Sequence, residues 1–329
     1  MVTVKDVAHR ARVSTATVSR VINETRFVSE ELRARVHQAM EELDYQPNVI
    51  ARSLRCKKSQ NIALVVTDIA YPFLAEVVKG VEGMSRELGY NAILCESNGE
   101  PERETACVRL LQAKQVDGLV FVAAGDSLSY APALIAKQIP VVVCARHLPG
   151  VAVDTVIADD AESGYQATEH LIQTGHEHIG CIGGPPKFGL SDERVAGYKR
   201  ALEAYGIPWL EDLVIHSDFR CQGGYEAGME LLNRDERPTA IFACNDLLAM
   251  GAICAASKQR LRIPEDVAIV GCDDIALASF TNPSLTTVAY PKHEMGVVAM
   301  EMLQRRIEGD SSPPTRRILP TRLVVRDSS

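Results

Sequence analysis

At 329 residues, 46% hydrophobic and 24% charged, the chain is long enough for two or three domains and has the balance of an ordinary globular protein. It holds no apolar run of about 18 residues, and its first residues are charged without an apolar core, so neither a helical membrane span nor a signal peptide is expected. The formal net charge of −8 would argue against nucleic acid if spread evenly, but residues 1–60 hold 11 Lys/Arg against 7 Asp/Glu and the remaining 269 hold 24 against 36; a basic head on an acidic body can still hold phosphate.

The chain opens with TVKDVAHRARVSTATVSRVIN, residues 3–23. Val4, Val7, Ala8 and Ala11 recur at i, i+3, i+4, i+7, which predicts a first helix, and Thr3 with Asp6 has capping-box spacing. Arg12-Val13-Ser14 breaks that pattern, and Ser14 is a suitable N-cap for a second helix with Val18, Val21 and Ile22 on its inner face. The polar face of this second helix carries no acid before Glu24, as a helix lying in a DNA groove requires. Arg20 suits guanine O6/N7, Thr15 and Ala16 a thymine methyl, and Thr17 or Ser19 a phosphate. An ordinary helical hairpin with a wet Ser/Thr face would use the same residue types.

Ser29 is placed to cap a third helix through about Leu43, with Leu32, Val36, Met40 and Leu43 as its stripe. Tyr45-Gln46-Pro47-Asn48 stops that helix. Pro47 then opens a short segment, Val49–Leu54, followed by Arg55, Lys57 and Lys58. This is either a plain linker or a hinge helix too short to stand alone, which folds on DNA and puts Leu54 into the minor groove as an apolar wedge.

From Ile62 onward, short apolar runs alternate with amphipathic segments. The runs are 62–66, 92–95, 118–123, 141–144, 153–157, 179–182, 213–215, 240–243 and 267–270; the segments are 73–88, 102–114, 164–174, 193–205, 223–233 and 246–259. The alternation predicts an α/β architecture of parallel sheets covered by helices. Its two halves, divided near residue 160, read as doubly wound subdomains with a ligand cleft at the C-terminal ends of the strands. Nine cysteines, with no CxxC pair and no zinc spacing, are expected to be reduced in a cytoplasmic protein.

Six stretches, VKDVAHRARVSTATVSRVIN, YQPNVIARSL, GHEHIGCIGGP, ERVAGYKRAL, FACNDLLAMGA and VAIVGCDDIALASFTNPSLTTV, follow one another in an order that resembles the LacI/GalR family of bacterial transcriptional regulators along the whole chain. The chain is most like that family's ribose and purine repressors. The resemblance implies a helix-turn-helix headpiece (1–46), a hinge helix and linker (47–59) and a periplasmic-binding-protein-like core (60–329). One core subdomain would be built from 60–159 and 291–318, the other from 160–290 and 319–329, with crossings near 159–161, 289–292 and 318–320. It implies a homodimer on a palindromic operator, and it favours the hinge reading of the linker. The DNA-contacting set becomes Thr3, Ser14, Thr15, Ala16, Thr17, Ser19, Arg20, Asn23, Asn48, Ala51, Arg52, Leu54 and Arg55. The tetramerising heptad tail of the lactose repressor is not seen before the final Val325-Arg326-Asp327-Ser328-Ser329, so a dimer is expected.

A sugar-like effector needs fixed carboxylates, amides and Arg for its hydroxyls and an aromatic face for its ring. Arg146, Asn245, Asp246 and Asp273 are candidates because they follow strands. Phe73 follows the first strand and also matches a pocket-lining position of the family. The resemblance implies Arg194 as the family's arginine that pairs with ligand oxygens and Phe219 as the aromatic that covers the ring. Each has a plainer reading: Asp246 as a helix cap, Phe73 as core, Arg194 as the partner of a surface acid, Asp273 as a turn residue. Phe188 and Leu190 stand where the purine repressors hold a base by hydrogen bonds, which disfavours a purine. Ala145-Arg146 replaces an acidic contact of the ribose and purine repressors with a basic one, which leaves a sugar acid or phosphate open beside a ribose-type sugar. No cofactor and no metal is expected. The rival class is an enzyme or sugar-binding core without a DNA role, but no G-x-G-x-x-G, P-loop or nucleophile elbow follows a strand. Gly183-Gly184-Pro185-Pro186 cannot cradle phosphate, because Pro lacks an N–H.

Overall fold

A computed structural model describes residues 2–23, 27–45, 59–113, 116–122, 139–146, 151–185 and 189–329. They divide into two units, Met1–Ser59 and Gln60–Ser329. In the first unit α1 (Val4–Ala11), α2 (Thr15–Asn23) and α3 (Glu30–Glu42) enclose a small core of Val7, Ala8, Ala11, Val18, Val21, Val28, Val36 and Ala39. The Asp6 carboxylate accepts from the Thr3 N–H at 2.8 Å and from the Thr3 hydroxyl at 2.7 Å, fixing the start of α1. Arg12, left-handed at φ 53°, ends it, and Arg35 of α3 donates to the Ala11 carbonyl at 2.6 Å. Ser14 caps α2 by accepting from the Thr17 N–H at 3.0 Å. Ser29 occupies the N-cap position of α3, but its hydroxyl makes no capping bond, so acids in the first turn, Glu30 and Glu31, are left to complement the helix dipole.

The second unit holds two six-stranded sheets. Sheet one, in the order β11-β5-β4-β3-β1-β2, is parallel throughout and contains β1 (Asn61–Val66), β2 (Asn91–Glu96), β3 (Gly118–Val122), β4 (Val141–Cys144), β5 (Asp154–Ala158) and β11 (Arg316–Leu319). Sheet two, β12-β10-β9-β8-β6-β7, contains β6 (Ile179–Gly183), β7 (Val214–His216), β8 (Ala240–Ala243), β9 (Ala268–Asp273), β10 (Thr286–Ala289) and β12 (Arg322–Val324). Only the pairing of β10 with β12 is antiparallel among these. Buried runs such as Gly118–Val122 and Ala240–Ala243 read as continuous apolar sequence because helices cover both faces.

Helices α4 (Pro72–Glu87), α5 (Pro101–Ala113) and α10 (Lys292–Ile307) pack on sheet one, while α6 (Asp160–Gln173), α7 (Gly189–Ala204), α8 (Cys221–Leu232) and α9 (Asp246–Lys258) pack on sheet two. The chain passes from one sheet to the other after β5, after β10 and after β11, so Asp159-Asp160, Tyr290-Pro291 and Pro320-Thr321 are the crossings. Three helix pairs touch at reciprocal glycines: Gly80 with Gly296, Gly164 with Gly197, and Gly224 with Gly251. A Cβ built at Gly197 would lie 1.9 Å from the Ala161 carbonyl oxygen, and one at Gly164 would lie 2.0 Å from that of Arg194. No helix among the described residues is long and apolar enough to cross a membrane.

Candidate functional site

On the first unit, Thr3, Ser14, Thr15, Ala16 and Arg20 are exposed, and Thr17 and Ser19 are half-buried, while Val18 and Val21 face the core. Thr17, one of the two hydroxyls expected at a phosphate, also bonds the capping Ser14, Oγ1 to Oγ at 2.9 Å. Asn23 is the last residue of α2. Asn48, Ala51, Arg52, Leu54 and Arg55, and with them the expected hinge helix, lie outside the described residues, as does Phe188.

Within the second unit a cavity of about 410 Å³ opens between the two sheets at the C-terminal ends of their strands, inside the usual range for small-molecule sites. Its polar centre is Arg194, carried on α7 and only 3% exposed. Nε donates to Asp160 Oδ1 at 2.8 Å, and Nη1 donates to Asp273 Oδ1 at 3.2 Å and to the Cys244 carbonyl. A buried guanidinium survives only with such partners. Its plane lies over the Tyr290 ring, 4.7 Å from the centroid. Tyr290 in turn donates to Asp160 Oδ1 at 2.7 Å and lies 2.6 Å from Ser163 Oγ. Asp160 and Tyr290 therefore tie two of the three crossings to one another and to Arg194.

Asp273 ends β9 at φ 115°, an unfavourable backbone for a residue with a Cβ. Lys292 holds this turn by donating to the carbonyls of Asp273 and Asp274. Burial pushes the Asp273 carboxyl above the ordinary carboxylate range, although the Arg194 guanidinium and the Tyr71 hydroxyl pull it down. Tyr71 donates to Asp273 Oδ2 and accepts from Asn245 Nδ2 at 3.0 Å. Burial, reinforced by the Asp273 charge, raises the Tyr71 phenol well above its ordinary range.

Around this centre the wall is mostly apolar. Phe73 is stacked on Tyr71 at 6.1 Å between centroids and meets Tyr290 edge-on at 5.8 Å. Opposite, Phe219 lies against Gly184, where a Cβ would sit 2.1 Å from its Cζ, so only glycine admits the ring there. At the rim, Arg220 reaches Asp68 across the gap at 3.4 Å. Four aspartates (68, 160, 218 and 273) and two arginines (194 and 220) line the cavity. No cluster of three or more metal-ligating side chains occurs among the described residues.

Of the seven residues expected at an effector, Phe73, Arg194, Phe219 and Asp273 line one cavity. Asn245, Asp246 and Arg146 do not. Asn245 is fully buried, and its Oδ1 caps α9 by accepting from the Leu248 N–H at 2.7 Å. Asp246, also fully buried, accepts from Thr287 Oγ1 at 2.5 Å and from the Ile275 N–H at 2.8 Å, joining α9 to β10. Arg146 is 5% exposed beside Ala145, which does line the cavity. Asp160 and Tyr290 were not singled out in sequence. Their signal was positional: both stand at crossings, where chain direction rather than residue type brings them to the cleft.

The model for bacterial regulatory proteins of the lacI family matches residues 3–48, and that for a periplasmic binding protein-like domain matches residues 168–329. The chain is 40% identical to the ribose operon repressor of Haemophilus influenzae, covering 100% of this chain and 98% of that one. It is also 40% identical to the transcriptional repressor PurR of Proteus mirabilis, over 100% and 97%. Among solved structures it is similar to the lac repressor dimer bound to operator and the anti-inducer ONPF, with TM-score 0.89, 28% identity and coverage of 99% and 98%. Equal identity to two differently named repressors leaves the ligand to be argued from the cavity itself.

Proposed function

The chain belongs to the LacI family of bacterial regulatory proteins, and from that premise we propose that it is a transcriptional repressor whose operator affinity is set by a small, sugar-like effector. The observation that carries this reading is the pairing of a helix-turn-helix unit with a cavity centred on buried Arg194, Asp160 and Asp273. Residues 1–46 form the headpiece, 47–59 the hinge helix and linker, and 60–329 the effector-binding and dimerisation core. Its subdomains are 60–159 with 291–318 and 160–290 with 319–329. A homodimer reads a palindromic operator, one headpiece per half-site, and acts where that DNA is, in the cytoplasm. Reading the protein as a regulator rather than an enzyme rests on the relatives, which are repressors.

Effector control is a population shift. The core has two arrangements of its subdomains, and the effector favours the one it binds better. Arg194 and its carboxylates orient the effector's hydroxyls, and Phe73 and Phe219 cover the faces of its ring. The four aspartates and two arginines of the lining favour a neutral ligand over an acid, and Arg146, the residue that suggested an anion, lies off that lining. A ribose-type sugar that releases the operator fits best.

Fluorescence anisotropy on a palindromic site with a central CpG step, with D-ribose or hypoxanthine added in turn, tests the reading. Specific binding that D-ribose reverses supports it, whereas absence of any specific operator binding overturns the repressor assignment. Leu54→Ala should weaken operator binding and leave effector affinity unchanged.

A further inference from the structure

Tyr71 belongs to the loop between β1 and α4, on the side of sheet one, yet its phenol ends among residues carried by sheet two. There it makes the contacts that a sugar ring would make in such a site. Its hydroxyl donates to a carboxylate and accepts from an amide, while its ring stacks on Phe73. With Tyr71 in place, both carboxylate oxygens of Asp273 have a partner, Oδ1 in Arg194 and Oδ2 in Tyr71, and its backbone carbonyl accepts from Lys292. Asn245 is engaged as well, since Oδ1 caps α9 and Nδ2 donates to Tyr71 and to the Phe219 carbonyl. Asp160 differs in distribution: among the described residues both hydrogen bonds to its carboxylate fall on Oδ1, which leaves Oδ2 to a ligand.

We propose that Tyr71 is a tethered occupant of the effector site, holding Asp273 and Asn245 across the cleft in the manner of a ligand hydroxyl. An effector either displaces it or binds through Asp160 and Arg194 without it. Tyr71 is thereby a specificity-determining residue: it takes one carboxylate oxygen and one amide N–H from the choice of ligand. It also links the two halves of the core by protein groups alone, so its removal shifts the balance between their arrangements. The inference rests on reading this cavity as the effector site.

The test uses the full-length chain with Tyr71→Ala, which removes the ring, and Tyr71→Phe, which removes only the hydroxyl. The first probe is 4-methylphenol, the severed side chain supplied in solution. It should raise the melting temperature of Tyr71→Ala and leave the wild type and Tyr71→Phe unmoved. Operator affinity, measured without added sugar, should shift in the same direction in both variants by about five-fold or more, and 4-methylphenol should return Tyr71→Ala toward the wild type. A Tyr71→Ala protein that ignores 4-methylphenol and a Tyr71→Phe protein with wild-type operator affinity would together overturn the proposal. If Tyr71→Ala does not fold, hydrogen exchange in Tyr71→Phe decides. Faster exchange at both 67–71 and 273–278 supports the bridge, and unchanged exchange removes it. Failure of the wild type to bind any operator would sink the repressor reading while leaving the 4-methylphenol melting test intact.

Discussion

Asp246 shows what a single residue type leaves undecided in sequence. An aspartate just after a strand reads equally as a ligand contact or a helix cap, and here the neighbouring Asn245 takes the cap while Asp246 joins Thr287 and the Ile275 N–H. Its partners lie 29 and 41 residues away, beyond any local pattern. Burial, reinforced by the Asp273 charge, raises the Asp246 carboxyl well above its ordinary range. A raised acid binds its proton more tightly folded than unfolded, so its contribution to stability is largest at low pH and declines as pH rises through the folded value. Asp246→Asn should therefore be near neutral in stability and should flatten the pH dependence above about pH 5. Asp246→Ala leaves a buried N–H and a hydroxyl without their acceptor and should cost about 2–4 kcal/mol. Urea denaturation of the three proteins across that range checks both.

Helices and strands were the most legible level. Apolar periodicity placed nine of the twelve described strands and six of the seven described core helices within a few residues, because each buries one regular face; β10, α10, β11 and β12, all after residue 270, were not read. The exceptions have physical reasons. The strand β11, Arg316–Leu319, is mostly exposed at a sheet edge and carries no apolar run to announce it. The site itself was legible at Phe73 and Asp273 from their place near strand ends, and at Arg194, inside α7, and Phe219 only through the family resemblance. The glycine contacts between helices were not read at all, since a glycine in a helix does not reveal what approaches it. They have consequences for Arg194, whose own carbonyl oxygen lies against Gly164 in the contact that Gly197 completes. Gly197→Ala should force α6 and α7 apart, cost about 1–3 kcal/mol and weaken effector binding by moving Arg194. Gly83, with nothing within 4 Å of a built Cβ, is the control: Gly83→Ala should be stabilising by about 0.4–1 kcal/mol. Thermal melts together with sugar titrations distinguish the two.

At the scale of the whole molecule, charge is the clearest inheritance from the sequence. With a headpiece region of net +4 and a remainder of −12, operator binding should fall with salt along a log–log slope steeper than about −4, the value for roughly five neutralised phosphates. A flat salt response would contradict groove binding through the basic head. The core adds a different property. Asp160 and Tyr290 are at once neighbours of the cavity and the points where the chain changes sheet. On the proposed population shift, whatever binds there acts at the pivot between the two halves, where what counts is which arrangement it favours and not what it is. Walls set away from the pivot, such as those of Leu190 and Leu247, can then drift in sequence and change which molecule is sensed while the motion passed to the DNA stays the same. A family built on this scaffold acquires new senses without having to invent a new response.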